Sequence, residues 1–232
     1  MTHQAAVNLP RRAGAAQTWE TESSHFVSDR LIYRATKRLF DLIVGSILLI
    51  IAFPIVIAAA IWIRLESPGS PFFFQTRLGR HGKPFRIFKL RGMHIDSRQR
   101  FPELYDYSHN PGLDFHFHYK VDPRVTRAGQ LLRRTSIDEL PNFWNVVKGD
   151  MSLVGPRPEI PELLQMYGPF RNEYLSVKPG ISCLSKCSGR DQLTKRESIE
   201  LDLQYIRCRG FLKDLSILWK TFRHVALRRD VY

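Results

Sequence analysis

Cysteine is scarce in this 232-residue chain. There are three, Cys183, Cys187 and Cys208, and none forms a Cys-x-x-Cys pair. An odd, scattered set argues against a disulfide framework or a structural zinc site and fits free thiols on the reducing, cytosolic side. The chain also lacks Gly-x-x-x-x-Gly-Lys-Ser/Thr and Gly-x-Gly-x-x-Gly, so a P-loop or a dinucleotide-binding turn has no support. No internal repeat, low-complexity block or nucleic-acid recognition motif occurs, and nucleic acid is not expected as a partner. Acidic charge is under-represented: 22 Asp and Glu against 35 Lys and Arg leave a formal net charge of +13. That surplus favours anionic lipid surfaces or phosphorylated small molecules.

Residues 1–28 are polar, without apolar periodicity, and read as a flexible tail. The basic-then-apolar order of a signal peptide is missing there. The long apolar run comes later, LFDLIVGSILLIIAFPIVIAAAIWI from Leu39 to Ile63, with Asp41 as its one charge. Its length suffices for a transmembrane helix. Two features oppose a simple span. Pro54 lies mid-run, where it deletes a backbone hydrogen bond. Basic residues flank both ends, Arg34, Lys37 and Arg38 before, Arg64, Arg77 and Arg80 after. The positive-inside rule then favours a run that dips into the bilayer at Pro54 and returns to the same face, while a kinked span remains the alternative.

Beyond the anchor, FFFQTRLGRHGKPFRIFKL predicts two short strands around a Gly-Arg-His-Gly turn. His116 and His118 alternate with Phe115 and Phe117; two imidazoles alone make a poor metal site, and a solvated loop or strand is the expectation. From Arg124 to Lys148 the pattern turns helical. Near the end, Phe211, Leu215, Leu218, Trp219, Phe222 and Val225 form one stripe. That stripe suits either a helix packed on the core or an interfacial helix lying on anionic headgroups.

The stretch RTSIDELP carries adjacent acids, Asp138 and Glu139, beside Arg133 and Arg134. Ser136-x-x-Glu139 matches a capping box, which would explain Glu139 structurally, and Asp138 suits the helix dipole. The same helix start also attracts phosphate and holds a carboxylate ionised, and an ionised aspartate is a competent nucleophile toward phosphorus and a hard ligand for Mg²⁺. Spacing alone leaves both readings open. Downstream, Arg157 stands between Pro156 and Pro158 in GDMSLVGPRP, presented from a stiff backbone as suits a phosphate fork. Lys89 and Arg91 add two cations at the end of the second strand.

These blocks, with KRLFDLIVGSILLII, DPRVTRAGQLLRRTSIDELPNFWNVVKGDMSLVGPRPE and KPGISCLSKCSGR, resemble the bacterial sugar transferases, the monotopic polyprenyl-phosphate phosphoglycosyl transferases. The resemblance runs from about Lys37 to Val225. It implies an α+β, mostly helical, membrane-anchored monotopic domain with a re-entrant helix-break-helix at Pro54, a small β-hairpin and amphipathic interfacial helices. It also implies residues 29–66 as anchor and 67–232 as catalytic domain on the cytosolic face of the bacterial inner membrane.

The implied chemistry is transfer of a sugar-1-phosphate from a UDP-sugar to undecaprenyl phosphate, with UMP released and Mg²⁺ required. Asp138 would be the nucleophile and a metal ligand, and Glu139 its partner. Lys89, Arg91, Arg133, Arg157 and Arg190 would be phosphate or substrate contacts. Membrane lipid would surround the chain, and a homo-oligomer stays open. A non-enzymatic module binding anionic lipid is the alternative. Two departures stand out. Where many relatives read KPGITGLAQVNGR, this chain carries Cys183, Lys186 and Cys187, and Phe53 precedes Pro54 where a hydroxyl residue is common.

Overall fold

The computed structural model describes residues 29–105, 122–189 and 193–226; the expected tail at 1–28, the residues His116 and His118, and Arg190 lie outside the described residues. The described fold is mostly helical. Helix α1 (Asp29–Glu66) contains the whole apolar run. It is the one described helix long and apolar enough to cross a membrane. Where a helix-break-helix is expected, helix is assigned without interruption through Pro54. Proline removes one backbone donor, and the turns on either side keep their own bonds.

One stripe of α1 is buried, with Asp41, Ala52, Ala59, Ala60 and Ile63 along it. The other face exposes Ile43, Ile47, Ile50, Phe53, Ile57 and Ile61. Both ends of the buried stripe pack on the same globular part. Arg38 donates to the carbonyls of Val146 and Val147 (2.7 and 2.8 Å), and Asp41 accepts from Ser152 Oγ and the Leu153 amide. At the far end, the Glu66 carboxylate accepts from the amides of Arg127 and Ala128, both at 2.9 Å.

The expected hairpin is present. Strands β1 (Phe72–Leu78) and β2 (Pro84–Leu90) pair antiparallel, Phe72 facing Leu90 and Leu78 facing Pro84. Their turn uses left-handed backbone at His81 (φ 59°) and Gly82 (φ 73°).

The helical pattern of 124–148 divides into three pieces: α2 (Arg127–Thr135), a 3-10 segment (Ile137–Asn142) and α3 (Phe143–Lys148). The break is at Ser136, whose φ of 58° ends α2 in a left-handed turn. The predicted capping box is therefore a misreading: Ser136 makes no side-chain cap bond, and the Glu139 carboxylate is drawn elsewhere. A complete capping box does exist, at Thr194 and Glu197, opening α5 (Lys195–Arg207).

A second, parallel pair joins β3 (Ser152–Val154) to β4 (Gly180–Ser182). A Cβ on Gly180 would stand 2.0 Å from the Gly155 amide nitrogen, so the close approach needs glycine there. Helix α4 (Leu184–Ser188) follows β4, and α6 (Phe211–Ala226) closes the described chain. The main core gathers Ile87, Val146, Leu153, Leu164, Leu203 and Ile217; a second cluster packs Ala59, Ala60 and Ile63 of α1 on Leu90 and Leu132. Helix α6 buries Asp214 and Ile217 but turns Leu212, Trp219 and Phe222 outward. All three cysteines are free.

Candidate active site

The 3-10 segment and the start of α3 are docked on the hairpin by one asparagine each. Asn142 Oδ1 accepts the Phe88 amide (3.0 Å), and Asn145 Nδ2 donates to the Arg86 carbonyl (3.2 Å). That seam fixes the register between β2 and the acids, and it brings Lys89 Nζ to 2.9 Å from Glu139 Oε1. The other oxygen of Glu139 binds Lys186 Nζ, carried by α4. Both oxygens of Glu139 are thus held by lysines from distant segments. Burial raises the affinity of this carboxyl for a proton, but Lys186 and then Lys89 outweigh it and hold it well below the ordinary glutamate range.

Asp138, one residue away, is treated differently. Among the described residues nothing hydrogen-bonds to its carboxyl, and Lys89, Lys186 and Arg133 act on it only through space. Burial pushes this carboxyl up from the ordinary aspartate value. Lys89 pulls it down, the charge of Glu139 pushes it up again, and Lys186 and Arg133 oppose. The result is a raised carboxyl with unoccupied lone pairs, next to a depressed one with none. This refines the expectation of a helix start holding Asp138 ionised: the cations do that work, against burial.

The Pro-Arg-Pro turn supplies a third wall. The Arg157 amide donates to Asp202 Oδ2 (2.8 Å) and its carbonyl accepts the Tyr174 hydroxyl (2.9 Å). With proline on both sides, backbone freedom at Arg157 is largely removed, and its charge helps depress Glu139. Asp202 Oδ1 also accepts the Ser185 amide at 3.4 Å. One buried acid on α5 therefore grips the segment bearing Arg157 and the segment bearing Lys186.

Of the residues expected from sequence, Asp138, Glu139, Lys89, Arg133 and Arg157 are brought together. Arg133 also reaches Asp122 Oδ2 at 3.8 Å. Arg91 is not brought in: it is buried, and its guanidinium donates to the Ser67 and Pro68 carbonyls and to Ser67 Oγ, tying the hairpin to the end of α1. Lys186 was visible in the sequence only as a departure from its relatives, and Asp202 carried no local signal at all.

Among the described residues no group of three or more His, Cys, Asp or Glu forms a metal cage. Mg²⁺ commonly sits on one or two carboxylates plus substrate phosphates. With Glu139 saturated by lysines, the Asp138 carboxyl is the protein ligand on offer here, a donor set that suits a substrate-bridging ion.

The model of the bacterial sugar transferase family matches residues 32–228. The chain is 39% identical over 200 residues to the undecaprenyl-phosphate galactose phosphotransferase of Salmonella typhimurium, covering 85% of this chain and 41% of that protein. It is 37% identical to the UDP-galactose-lipid carrier transferase of Erwinia amylovora, covering 85% and 41%. The exopolysaccharide production protein ExoY of Rhizobium meliloti is 32% identical, with 84% of this chain and 88% of ExoY covered. The chain thus spans about two-fifths of the length of the first two relatives and most of the third.

Proposed function

The chain belongs to the bacterial sugar transferase family, and from that premise we propose that it moves a sugar-1-phosphate from a UDP-sugar to undecaprenyl phosphate by way of Asp138. The observation carrying this reading is the division of the acid pair: Glu139 is saturated by Lys89 and Lys186, and Asp138 is left with its lone pairs open. A raised carboxylate is the better nucleophile of the two once ionised.

In the first step an Asp138 oxygen attacks the sugar-bearing phosphorus of the donor. The bond from that phosphorus to the bridging oxygen breaks, and UMP leaves with the electron pair. Arg157, Arg133 and Lys89 stand where they can meet the charge on the phosphate oxygens. In the second step a phosphate oxygen of the lipid attacks the same phosphorus and releases the Asp138 carboxylate, leaving the lipid diphosphate-sugar. Asp138 would hold Mg²⁺, and the ion would supply neutralising charge on the donor diphosphate.

A lipid acceptor calls for a membrane, and α1 offers the anchor. Both ends of its buried stripe pack on one globular body while Ile50 (72% exposed) and Phe53 (64%) face outward beside Pro54, and with basic residues at both flanks this supports anchoring from the one, cytoplasmic, face of the inner membrane. The outward stripe of α6, with Trp219 and Phe222 stacked at 5.9 Å, supports an interfacial helix beside it. The decisive experiment incubates the purified chain with a panel of UDP-sugars and no acceptor. Expected is one UMP released per chain and a sugar-phosphate mass added at Asp138, discharged by undecaprenyl phosphate. Turnover at the wild-type rate by Asp138→Asn would refute the route.

A further inference from the structure

Away from the acid pair, a cavity of about 250 Å³ opens between the start of α1, the hairpin turn and β3. Its walls carry six cations: Arg34, Lys37, Arg38, Arg80, Lys178 and Arg209. The single acid in the lining, Asp41, is turned to Ser152 and Leu153. Lys37 is paired with Asp214, and Arg38 is spent on two carbonyls. Arg209 donates to the Ile206 carbonyl. Arg34, Arg80 and Lys178 make no side-chain hydrogen bond or ion pair among the described residues, and Arg80 Nε is buried without a partner. Like charges held this close repel. Burial lowers the proton affinity of both Arg80 and Lys178; Arg34 lowers that of Arg80 further, and at Lys178 the charges of Arg38 and Arg80 lower it while Asp41 and Asp150 oppose. A protein keeps such a cluster at a cost unless an anion completes it.

The surroundings say which anion. Arg209, which lines the cavity, leads directly into α6, whose first turn exposes Phe211 (40%) and Leu212 (81%). Phe40 and Phe211 join the two helices edge-to-face at 5.4 Å. The cationic cavity thus opens beside the apolar start of α6, where that helix meets Phe40 of α1. At about 250 Å³ it is below the roughly 300–1,000 Å³ that hold drug-sized ligands, so it suits a compact phosphate headgroup and not a nucleotide sugar. We propose that this cavity binds the phosphate of an anionic phospholipid whose acyl chains lie on α1 and α6, a site separate from the acid pair.

The test uses the full chain in neutral detergent, with thermal unfolding and native mass spectrometry as readouts, so its outcome does not depend on turnover. Phosphatidylglycerol is expected to raise the melting temperature and to be retained as one bound copy. Phosphatidylcholine at equal mole fraction, or sodium phosphate, is expected to do neither. Arg80→Gln with Lys178→Gln should weaken the lipid effect by roughly tenfold or more. Arg34→Gln, at an exposed rim position, should weaken it without disturbing packing. Lys83→Gln with Arg98→Gln, the same charge loss at exposed positions elsewhere, should leave it unchanged. Equal effects of both lipids, or equal loss in the control pair, would overturn the site. An equal shift with sodium phosphate would overturn the lipid and assign the cavity to a soluble anion.

Discussion

Two acid clusters, one buried and one half-buried, are built to opposite rules in this fold. Around Glu159 and Asp202 the acids are engaged by several partners each. Glu159 binds Lys195 and accepts the Tyr167 hydroxyl at 2.6 Å, with Arg77 at 3.6 Å. Asp202 accepts two amides and the Tyr174 hydroxyl. Around the half-buried Glu139 and Asp138 one acid is saturated and the other makes no side-chain hydrogen bond among the described residues. Burial raises the carboxyls of both Asp202 and Asp138, but at Asp202 hydrogen bonds offset part of that cost, whereas Asp138 makes none and is kept for what it can do.

The largest test of that contrast exchanges one acid in each cluster for its amide. Asp138→Asn should reduce UMP release by about 10³-fold or more, since the nucleophile itself is lost. Its effect on stability should have the opposite sign. The folded protein raises the proton affinity of Asp138, so the ionised form costs stability at neutral pH, and that cost is relieved as pH falls through the raised value. The amide removes it, and the melting temperature at neutral pH should rise. Glu159→Gln should do the reverse, losing about 3–5 kcal/mol because Lys195 is left buried without its carboxylate, with activity per folded molecule much less affected. A lower melting temperature for Asp138→Asn in urea or thermal unfolding would break the contrast.

The next test asks whether the structural cluster serves the catalytic one. Asp202 is a positioning residue: it holds the amides of Arg157 and Ser185, and so aims Arg157 and Lys186. In Asp202→Asn one oxygen becomes a donor facing a donor, at a cost of about 1–3 kcal/mol. Displacement of the two cations by even an ångström is worth up to roughly 10²-fold in rate. The loss should fall on kcat more than on KM for the donor, whereas a purely structural residue would lower stability and leave both constants of the folded fraction intact.

How much of this was legible in the sequence follows from how local each signal is. The hairpin rests on a short-range pattern and is present as read; the helix of α6 is present too, but most of its predicted stripe faces outward, against the core-packed alternative. Strands β3 and β4 have three residues each, too short for any period, and their pairing depends on glycines 25 positions apart. The capping box at Ser136 failed for the same reason. The pattern is right locally, but Lys89 and Lys186, 50 and 47 residues away, compete for the Glu139 carboxylate and win. Arg91 looked like a second phosphate contact beside Lys89, yet neighbours on a strand face opposite sides at spacing one and the same side at spacing two; the strand ends at Leu90, and Arg91 turns to the end of α1 instead.

The smallest expected effect concerns Lys186, the lysine of α4 that binds Glu139. It touches Glu139 and lowers the proton affinity of both acids. Lys186→Gln removes one of the cations opposing protonation of Asp138. The nucleophile then stays protonated to a higher pH, so the acid limb of kcat/KM for UMP release should move upward, and the rate at neutral pH should fall by about tenfold or less. Lys186→Arg should hold the limb near its original position. An unmoved acid limb in Lys186→Gln, with a rate loss that is the same at every pH, would mean that the lysine braces α4 without tuning the pair, and the division between the two acids would then rest on Lys89 alone.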